Sequence, residues 1–321
     1  MKRIITLLAL LVTLSAHAQK QINLGKFNIP SANYSGITPI GENRYAMIDD
    51  KAPKAGWIEL ELLFTEEGEL EQATILDKKE SEGKRDQEGI AFNPATQKIY
   101  IAAEDDQRIL EYALDGTPTG RELQIPEFAT KPHIQPNAGF ESLTYNASTH
   151  TFWTVTECNL KEDEEGHLRL LAFNDSLTLI THNSQSTTQY SYTLDAPIAK
   201  KTGRNYVHGI SDLCALDDGT LLVLEREFYV AKKFLGSFVN HKLYRVNPGE
   251  ELQPGASLSK QLVTEFKTKL TASKKNLANY EGMCLGPVIN GKQTVILISD
   301  SQAGYGNSLF HLKDYLKLII F

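Results

Sequence analysis

The segment ESLTYNASTHTFWTVTE, residues 141–157, decides the fold of this chain. It contains a short apolar strand, a turn at Asn146-Ala147-Ser148, and a second strand rich in aromatic and β-branched residues that stops at Glu157. This pattern predicts an antiparallel β-hairpin. Because the start of one strand lies beside the end of the other in such a hairpin, Glu141 and Glu157 are expected to be neighbours.

The same pattern occurs five times along the chain. The first strands open at Ser35, Glu88, Glu141, Ser211 and Glu281, and the second strands stop at Asp49-Asp50, Glu104-Asp105, Glu157, Glu225 and Asp300. The openings are 53, 53, 70 and 70 residues apart, a spacing typical of propeller repeats. By the same pairing rule, Glu88 is expected beside Glu104, and Glu281 beside Asp300. If the repeats pack radially, these acids gather on one face of a ring.

We therefore predict an all-β fold, a β-propeller of four-stranded blades. Five repeats are detected, and the two longer intervals leave room for a sixth, so the sequence predicts a five- or six-bladed ring. The third strand of the last blade is predicted at Ser308–Leu312. That blade is expected to be completed either by Tyr315–Phe321 or by Gln21–Ile29, which would close the ring with the N-terminus.

Residues 1–18 have the pattern of a signal peptide. Lys2-Arg3 is followed by an apolar run from Ile4 to Leu14 and by the small-residue cleavage pattern Ala16-His17-Ala18. We expect cleavage after Ala18, which leaves residues 19–321 as a single propeller domain. The apolar run is too short to span a membrane. The sequence therefore predicts a monomer without a membrane span that is periplasmic or secreted.

The chain is acidic, with 33 basic and 40 acidic residues and a net charge of −7. This balance argues against nucleic acid or anionic lipid as a partner. It suits a protein that binds cations, although many exported enzymes are also acidic.

The three cysteines are Cys158, Cys214 and Cys284. Export permits disulfides, but Cys214 and Cys284 occupy the same place in two repeats, and equivalent positions of neighbouring blades lie too far apart for a bridge. We expect all three thiols to be free.

The acidic ends of the repeats form the candidate functional site, because GxSxG, Walker A, HExxH and CxxC motifs are absent from the sequence. Clustered carboxylates repel one another unless they are protonated, paired with bases or joined by a cation. Calcium suits such a group because it takes about 6 to 8 oxygen ligands. The candidates for sharing a cation are Glu88, Glu141, Glu157, Glu281 and Asp300. The alternative is that these acids accept hydrogen bonds from the backbone of the next blade and only join the blades.

Three basic residues, Arg85, His208 and Arg226, lie close to these positions in sequence. An arginine beside a metal ion can hold a phosphate or a carboxylate through two hydrogen bonds. Alternatively, Arg85 and Arg226 neutralise the acids as salt bridges. His208 is either a catalytic base or a hydrogen-bonded structural group.

Several segments resemble, in the same order, the phytase-like family of exported bacterial proteins, also called "esterase-like activity of phytase". They are NAGFESL (137–143), GISDLCAL (209–216), LVLER (222–226), YEGM (280–283) and ISD (298–300), and the resemblance spans about residues 30–312. Membership implies a propeller that hydrolyses esters and is similar to calcium-dependent propeller phytases, in which calcium bound by channel acids holds the phosphate and activates water. The ligands that the resemblance implies are Glu88, Glu141, Glu157, Glu225, Glu281 and Asp300.

We therefore predict an exported, calcium-dependent hydrolase of a small-molecule ester, with a phosphoester as the favoured substrate. The metal would activate water, while Arg226 or Arg85 balances the developing charge. Serine at Ser35 and Ser211 leaves the acidic ring incomplete, and the sparse basic residues argue against phytate itself. Two alternatives stay open: a calcium-stabilised binding module without enzymatic activity, and a lactonase-like propeller enzyme in which calcium polarises a lactone carbonyl.

Overall fold

The computed structural model describes residues 18–180, 190–201, 203–251, 255–307 and 310–321. The signal peptide predicted at residues 1–18 lies almost entirely outside the described residues, and its cleavage stays a prediction. Within the described residues, no helix is long and apolar enough to cross a membrane.

The described chain is mainly β-structure, with short 3-10 helices at Leu24–Phe27, Glu127–Ala129 and Lys131–His133. The strands are β1 (Ala18–Asn23), β2 (Tyr34–Gly41), β3 (Arg44–Asp49), β4 (Gly56–Phe64), β5 (Leu70–Glu80), β6 (Gln87–Asn93), β7 (Lys98–Ala103), β8 (Arg108–Ala113), β9 (Pro118–Glu122), β10 (Phe140–Asn146), β11 (Thr151–Thr156), β12 (His167–Asn174), β13 (Tyr190–Thr193), β14 (Asn205–Ala215), β15 (Leu221–Val230), β16 (Phe238–Val246), β17 (Gln261–Lys269), β18 (Asn276–Leu277), β19 (Asn279–Leu285), β20 (Thr294–Asp300), β21 (His311–Leu312) and β22 (Tyr315–Ile320). The second strand of the opening hairpin, β11, is buried at all six positions, because its sheet packs between two others.

These strands form five four-stranded antiparallel sheets, which we number as blades 1 to 5. Their strand orders are β2-β3-β4-β5, β6-β7-β8-β9, β10-β11-β12-β13, β14-β15-β16-β17 and β19-β20-β22-β1. The first strand of each blade contacts the first strand of the next, and β19 contacts β2. The prediction of a β-propeller is confirmed, and the ring has five blades. Within the described residues, the longer intervals contain the long strands of blade 4 and connecting segments rather than a sixth four-stranded sheet.

The N-terminal strand closes blade 5. β1 pairs antiparallel with β22, from Ala18 opposite Ile320 to Asn23 opposite Tyr315. The third strand predicted at Ser308–Leu312 is wrong, because β22 takes that place beside β20, whereas β21 pairs in parallel with β18. Residues 308 and 309 lie outside the described residues. β22 has the longer apolar run, and its leucines enter the hydrophobic core shared with blade 1.

Each inner strand has a register shift where the sequence pattern opens. The shifts lie between Tyr34 and Ile37, Gln87 and Ile90, Phe140 and Ser142, Ile210 and Asp212, and Tyr280 and Gly282. Such a β-bulge redirects a side chain next to the end of a strand. It therefore sets the direction of the opening residue in all five blades.

Small residues at the bulges allow the inner strands to approach closely. A Cβ atom at Gly36 would lie 2.4 Å from the carbonyl oxygen of Glu88, and one at Gly89 would lie 2.5 Å from the backbone nitrogen of Leu143. Both distances are shorter than van der Waals contact. The openings thus bring blades 1, 2 and 3 together where their acids lie.

All three cysteines are free, as predicted. Cys214 and Cys284 are buried among the inner strands. Burial raises the pKa of the Cys158 thiol to about 11, and the negative charges of Glu157, Glu141 and Glu104 add to the rise. Cys158 therefore lies close to the acidic end of the ring.

Candidate functional site

Two equivalent positions in every blade meet at one end of the ring. The bulge position is held by Ser35, Glu88, Glu141, Ser211 and Glu281. The strand-end position, at the end of the second strand, is held by Asp50, Glu104, Glu157, Arg226 and Asp300. Backbone pairing establishes this equivalence. The backbone N–H groups of Asp50, Glu104 and Glu157 donate to the carbonyl oxygen of the residue just before the first strand of their own blade. Arg226 and Asp300 are paired with the residues at the same position of blades 4 and 5.

Glu225 differs from the position expected for it. The sequence pattern made it the acidic stop of blade 4, but the strand-end position belongs to Arg226. Because successive side chains of a strand point to opposite faces, Glu225 faces away from the other acids. Its carboxylate accepts hydrogen bonds from the Tyr192 hydroxyl and from Nζ of Lys260, each at 2.7 Å. The structure therefore separates Glu225 from the other five predicted ligands.

Arg226 is a buried ion-pair partner of two acids from the neighbouring blades. Its guanidinium donates to Glu157 of blade 3 and to Glu281 of blade 5. The nitrogen that donates to Glu281 also donates to Oδ1 of Asn279, at 3.3 Å. Only 5% of Arg226 is exposed, and the side chain is held on both sides. This arrangement matches the salt-bridge alternative for Arg226.

Three carboxylates of blades 1 and 2 form a group suited to a metal ion. One oxygen each from Asp50, Asp86 and Glu88 lie within 4.8 Å of one another. Oxygens bound to one calcium ion at about 2.3–2.6 Å cannot be farther apart than about 5 Å. The spacing of the three oxygens therefore satisfies the geometric limit for a shared ion.

Two features of this group fit a metal ligand better than a structural acid. Glu88 is only 7% exposed, yet within the described residues its carboxylate has no hydrogen-bond or ion-pair partner. Oδ1 of Asp50 is also buried without a hydrogen-bond partner there. An unpaired buried acceptor is costly. A bound cation would satisfy both atoms, so the residues present fit a metal ion.

Lys51 is the basic residue in contact with this group. Its Nζ lies 2.7 Å from Oδ2 of Asp50 and 2.6 Å from Oδ1 of Asp86. The side chain is 51% exposed. Unlike Arg226, Lys51 can therefore move into solvent when another cation binds the acids.

Burial and mutual repulsion raise the pKa values of these acids. Burial raises the pKa of Glu88 well above its usual value, and the charges of Glu141, Asp50 and Glu281 add to the rise. Burial also raises the pKa of Asp50 to about 6, although Lys51 opposes the rise. Burial and Glu281 raise the pKa of Asp300 to about 9. The raised pKa values favour the protonated acids, so a cation that binds Asp50 and Glu88 would compete with protons.

Glu141 extends the same group toward blade 3. It is half-buried near Glu157, Arg226, Glu104 and Glu281, and burial together with the charge of Glu157 raises its pKa well above the usual value. Within the described residues, its carboxylate also has no hydrogen-bond partner. Of the six ligands predicted, the structure brings together Glu88, Glu141, Glu157, Glu281 and Asp300.

Arg85 and His208 lie apart from the three-carboxylate group. Arg85 donates to Asp106 through two nitrogens, at 2.9 and 2.8 Å, and to the Tyr112 hydroxyl at 3.2 Å. It is therefore a structural residue of blade 2 in this arrangement. His208 is half-buried, and burial lowers its pKa, while Glu227 and Glu225 oppose the change.

Two cavities give access to this end of the ring. A cavity of about 450 Å³ is lined by Asp86 and Glu104 together with Lys131 and Lys161. A larger cavity of about 1100 Å³ is lined by His208 and by the segment that precedes it, and Gln135 lines both cavities. Asp86 thus connects the carboxylate group to a space that is large enough for a small molecule and flanked by lysines.

The candidate ligands that sequence reasoning missed are Asp50 and Asp86. The sequence pattern marks Asp50 as an acidic stop, and Asp86 lies two residues before Glu88, but neither is among the predicted ligands. A signal for Asp50 was present, because it lies six residues after the start of β3, as Glu157 lies six residues after the start of β11. Asp86 had no such signal, since the equivalent positions of other blades hold Asn33, Gly139, Gly209 and Asn279.

The family model for phytase-like proteins, described as "esterase-like activity of phytase", matches residues 29–302. The chain belongs to the phytase-like family. The matched region includes every bulge and strand-end position of this phytase-like propeller, from Ser35 to Asp300. The resemblance noted from the sequence is thereby confirmed.

Several solved structures are similar to this phytase-like chain at low sequence identity. A luciferin-regenerating enzyme is 8% identical with a TM-score of 0.43, over 94% of this chain and 95% of that one. A streptogramin B lyase is 13% identical with a TM-score of 0.41, over 95% and 98%. The PQQ-bound aldose sugar dehydrogenase from Streptomyces coelicolor is 12% identical with a TM-score of 0.38, over 95% and 99%. No curated protein sequence matches the chain significantly.

Proposed function

We propose that this phytase-like propeller is an exported, calcium-dependent hydrolase of phosphoesters. The observation that supports it most is the Glu88 carboxylate, which is buried, unpaired within the described residues, and close to Asp50 and Asp86. A buried acid without a partner is unfavourable for folding alone. A bound ion would supply the missing partner, and Asp86 of the same group lines a cavity.

Calcium is the ion that best fits the ligands. The donors are all carboxylate oxygens, which are hard ligands, and no histidine or cysteine belongs to the described three-carboxylate group. Asp50, Asp86 and Glu88 would hold the ion. When bound, it would lower the pKa of a water molecule and polarise the ester.

Lys51 takes the charge-balancing role that the sequence assigned to Arg226 or Arg85. Arg226 is committed to Glu157 and Glu281, and Arg85 to Asp106. Lys51 is half-exposed beside Asp50 and Asp86, so it can turn toward the oxygens of a bound anion. There it would bind and orient the substrate electrostatically.

The charges around the cavity favour a phosphoester over a neutral ester. Lys131 and Lys161 line the cavity that contains Asp86, and Lys51 contacts Asp86 itself. Three ammonium groups would attract a doubly charged phosphate to an otherwise acidic face. They are too few for a hexakisphosphate such as phytate, so we propose a small phosphomonoester.

The test is hydrolysis by the chain from residue 19 to residue 321. Phosphomonoesters, phosphodiesters, carboxylic esters and lactones are compared with added calcium and with chelator. We expect phosphomonoester turnover that chelator abolishes and calcium restores. Glu88→Gln should lose it, whereas Glu59→Gln, which alters a buried acid paired with Arg44 in blade 1, should retain it.

Other outcomes would replace this proposal. Calcium-sensitive turnover of lactones alone would identify a lactonase-like enzyme. A rise in melting temperature with calcium, without turnover of any substrate, would identify a calcium-stabilised binding module. Turnover that Glu88→Gln leaves intact would place the chemistry elsewhere.

A further inference from the structure

The strand-end position has one exception to its acidic pattern. Four blades place an acid there, namely Asp50, Glu104, Glu157 and Asp300, and blade 4 places Arg226. The bulge position of the same blade is Ser211, so blade 4 contributes no carboxylate at either position. Blade 4 therefore contributes a fixed positive charge where the other blades contribute negative ones.

The guanidinium of Arg226 lies between acids of the two neighbouring blades. It donates to Glu157 of blade 3 and Glu281 of blade 5, the two acids that flank blade 4. A cation between those blades would need the same oxygens. Because the guanidinium keeps its proton in proteins, it cannot release them by titration.

Burial prevents Arg226 from moving aside. Its side chain is 6% exposed, and that of Glu157 is 9% exposed. Lys51 shows the opposite behaviour, because its side chain is 51% exposed next to Asp50 and Asp86. A metal ion can therefore displace the lysine from its acids but cannot displace the arginine.

We infer that Arg226 permanently takes the place of a second metal ion, so that this propeller binds one calcium ion, at Asp50, Asp86 and Glu88. The inference rests on the metal site of the proposed function. It goes further by assigning blades 1 and 2 to the metal, and blades 3, 4 and 5 to an internal ion-pair network. Arg226 thus determines the number of metal ions.

Calcium stoichiometry tests this directly. Chelator-treated protein is equilibrated with calcium, and bound calcium is measured by calorimetric titration and by elemental analysis. We expect one ion for the wild type, none for Glu88→Gln and two for Arg226→Gln, because the exchange frees Glu157 and Glu281. The control Arg245→Gln, which removes an arginine paired with Asp218 on the outside of blade 4, should bind one.

A second variant keeps the inference testable if Arg226→Gln does not fold. Glu157→Gln removes an acid that is paired with arginine rather than with the metal, so it should still bind one calcium ion. Two ions in the wild type, no gain in a folded Arg226→Gln, or loss of the ion in Glu157→Gln would overturn the inference. One bound ion without any ester turnover would leave the inference standing and reject the proposed hydrolase.

Discussion

Arg226 of blade 4 donates a hydrogen bond to Glu157 of blade 3, although the two residues occupy the same position in their own blades. One repeat has exchanged an acid for a base, and the base pairs with the acid of its neighbour. The exchange divides the ring end into a neutralised part and an acidic part. The acidic part is formed by blades 1 and 2, where Asp50, Asp86 and Glu88 meet.

Replacing Arg226 should destabilise the metal-free protein. Arg226→Met leaves the buried Glu157 and the partly buried Glu281 without their counter-charge, and breaking a buried pair in this way costs about 3–5 kcal/mol. Urea denaturation in chelator measures the free energy of unfolding. Arg245→Met, at an exposed pair, should change it by less than about 1 kcal/mol. Equal losses in the two variants would contradict the assignment of Arg226.

Replacing Lys51 should tighten calcium binding. The ammonium group of Lys51 occupies Asp50 and Asp86, so it competes with the ion for the same oxygens. Lys51→Met removes this competition, and we expect roughly tenfold higher calcium affinity, equal to about 1.4 kcal/mol. Calorimetric titration measures the change. Lys54→Met, which alters a lysine paired with Glu80 at 3.0 Å, should leave the affinity unchanged, and weaker binding by Lys51→Met would argue against competition.

The metal-free protein should lose stability as pH rises. The pKa of Asp50 is raised to about 6 and that of Asp300 to about 9, so the folded chain binds more protons than the unfolded chain from about pH 4 upward. The free energy of unfolding in chelator should therefore fall between about pH 4 and pH 9.

Calcium should remove the part of this dependence that comes from its own ligands, because it displaces the protons of Asp50 and Glu88. The calcium-induced rise in melting temperature should be larger near pH 8 than near pH 5, as measured by thermal unfolding. Glu88→Gln serves as the control, since it should show little calcium effect at either pH. A calcium effect that weakens with rising pH would be incompatible with carboxylate ligands.

Gly36 should be essential for the approach of blades 1 and 2. A Cβ there would lie 2.4 Å from the carbonyl oxygen of Glu88, whereas at Gly41 of the same strand the nearest atom would be 3.9 Å away. We expect Gly36→Ala to cost at least about 1–3 kcal/mol of stability and to weaken calcium binding, because it separates Asp50 from Glu88. Gly41→Ala should change both quantities little. Denaturation and calcium titration of the two variants make the comparison.

The blades could be predicted from the sequence because the local pattern of each hairpin specifies which two strands pair. The alternation, the turns and the β-rich second strands at Lys98, Thr151 and Thr294 were sufficient to place most strands. The local pattern did not decide which segment completes the last blade, since β1 pairs with β22 across nearly the whole length of the chain. Such a contact has no local signal, and both candidate segments proved to be used.

The site was predicted only in part because a shift of one residue reverses the direction of a side chain. Glu225 satisfied the pattern of an acidic stop, but Arg226 lies at the equivalent position. Counting six residues from the residue after each hairpin turn reveals this, since it leads from Thr151 to Glu157 and from Thr220 to Arg226. The grouping of Asp86 with Asp50 depends on how blades 1 and 2 pack, which the local pattern does not contain.

The most direct measurement is a crystal structure of the chain grown with calcium, with the ion located by its anomalous scattering. We expect one calcium ion, bound to oxygens of Asp50, Asp86 and Glu88 at about 2.3–2.6 Å. We also expect that Lys51 has moved away from these acids while Arg226 still pairs with Glu157 and Glu281. An ion bound between Glu157 and Glu281, or the three carboxylates without an ion at saturating calcium, would contradict this expectation.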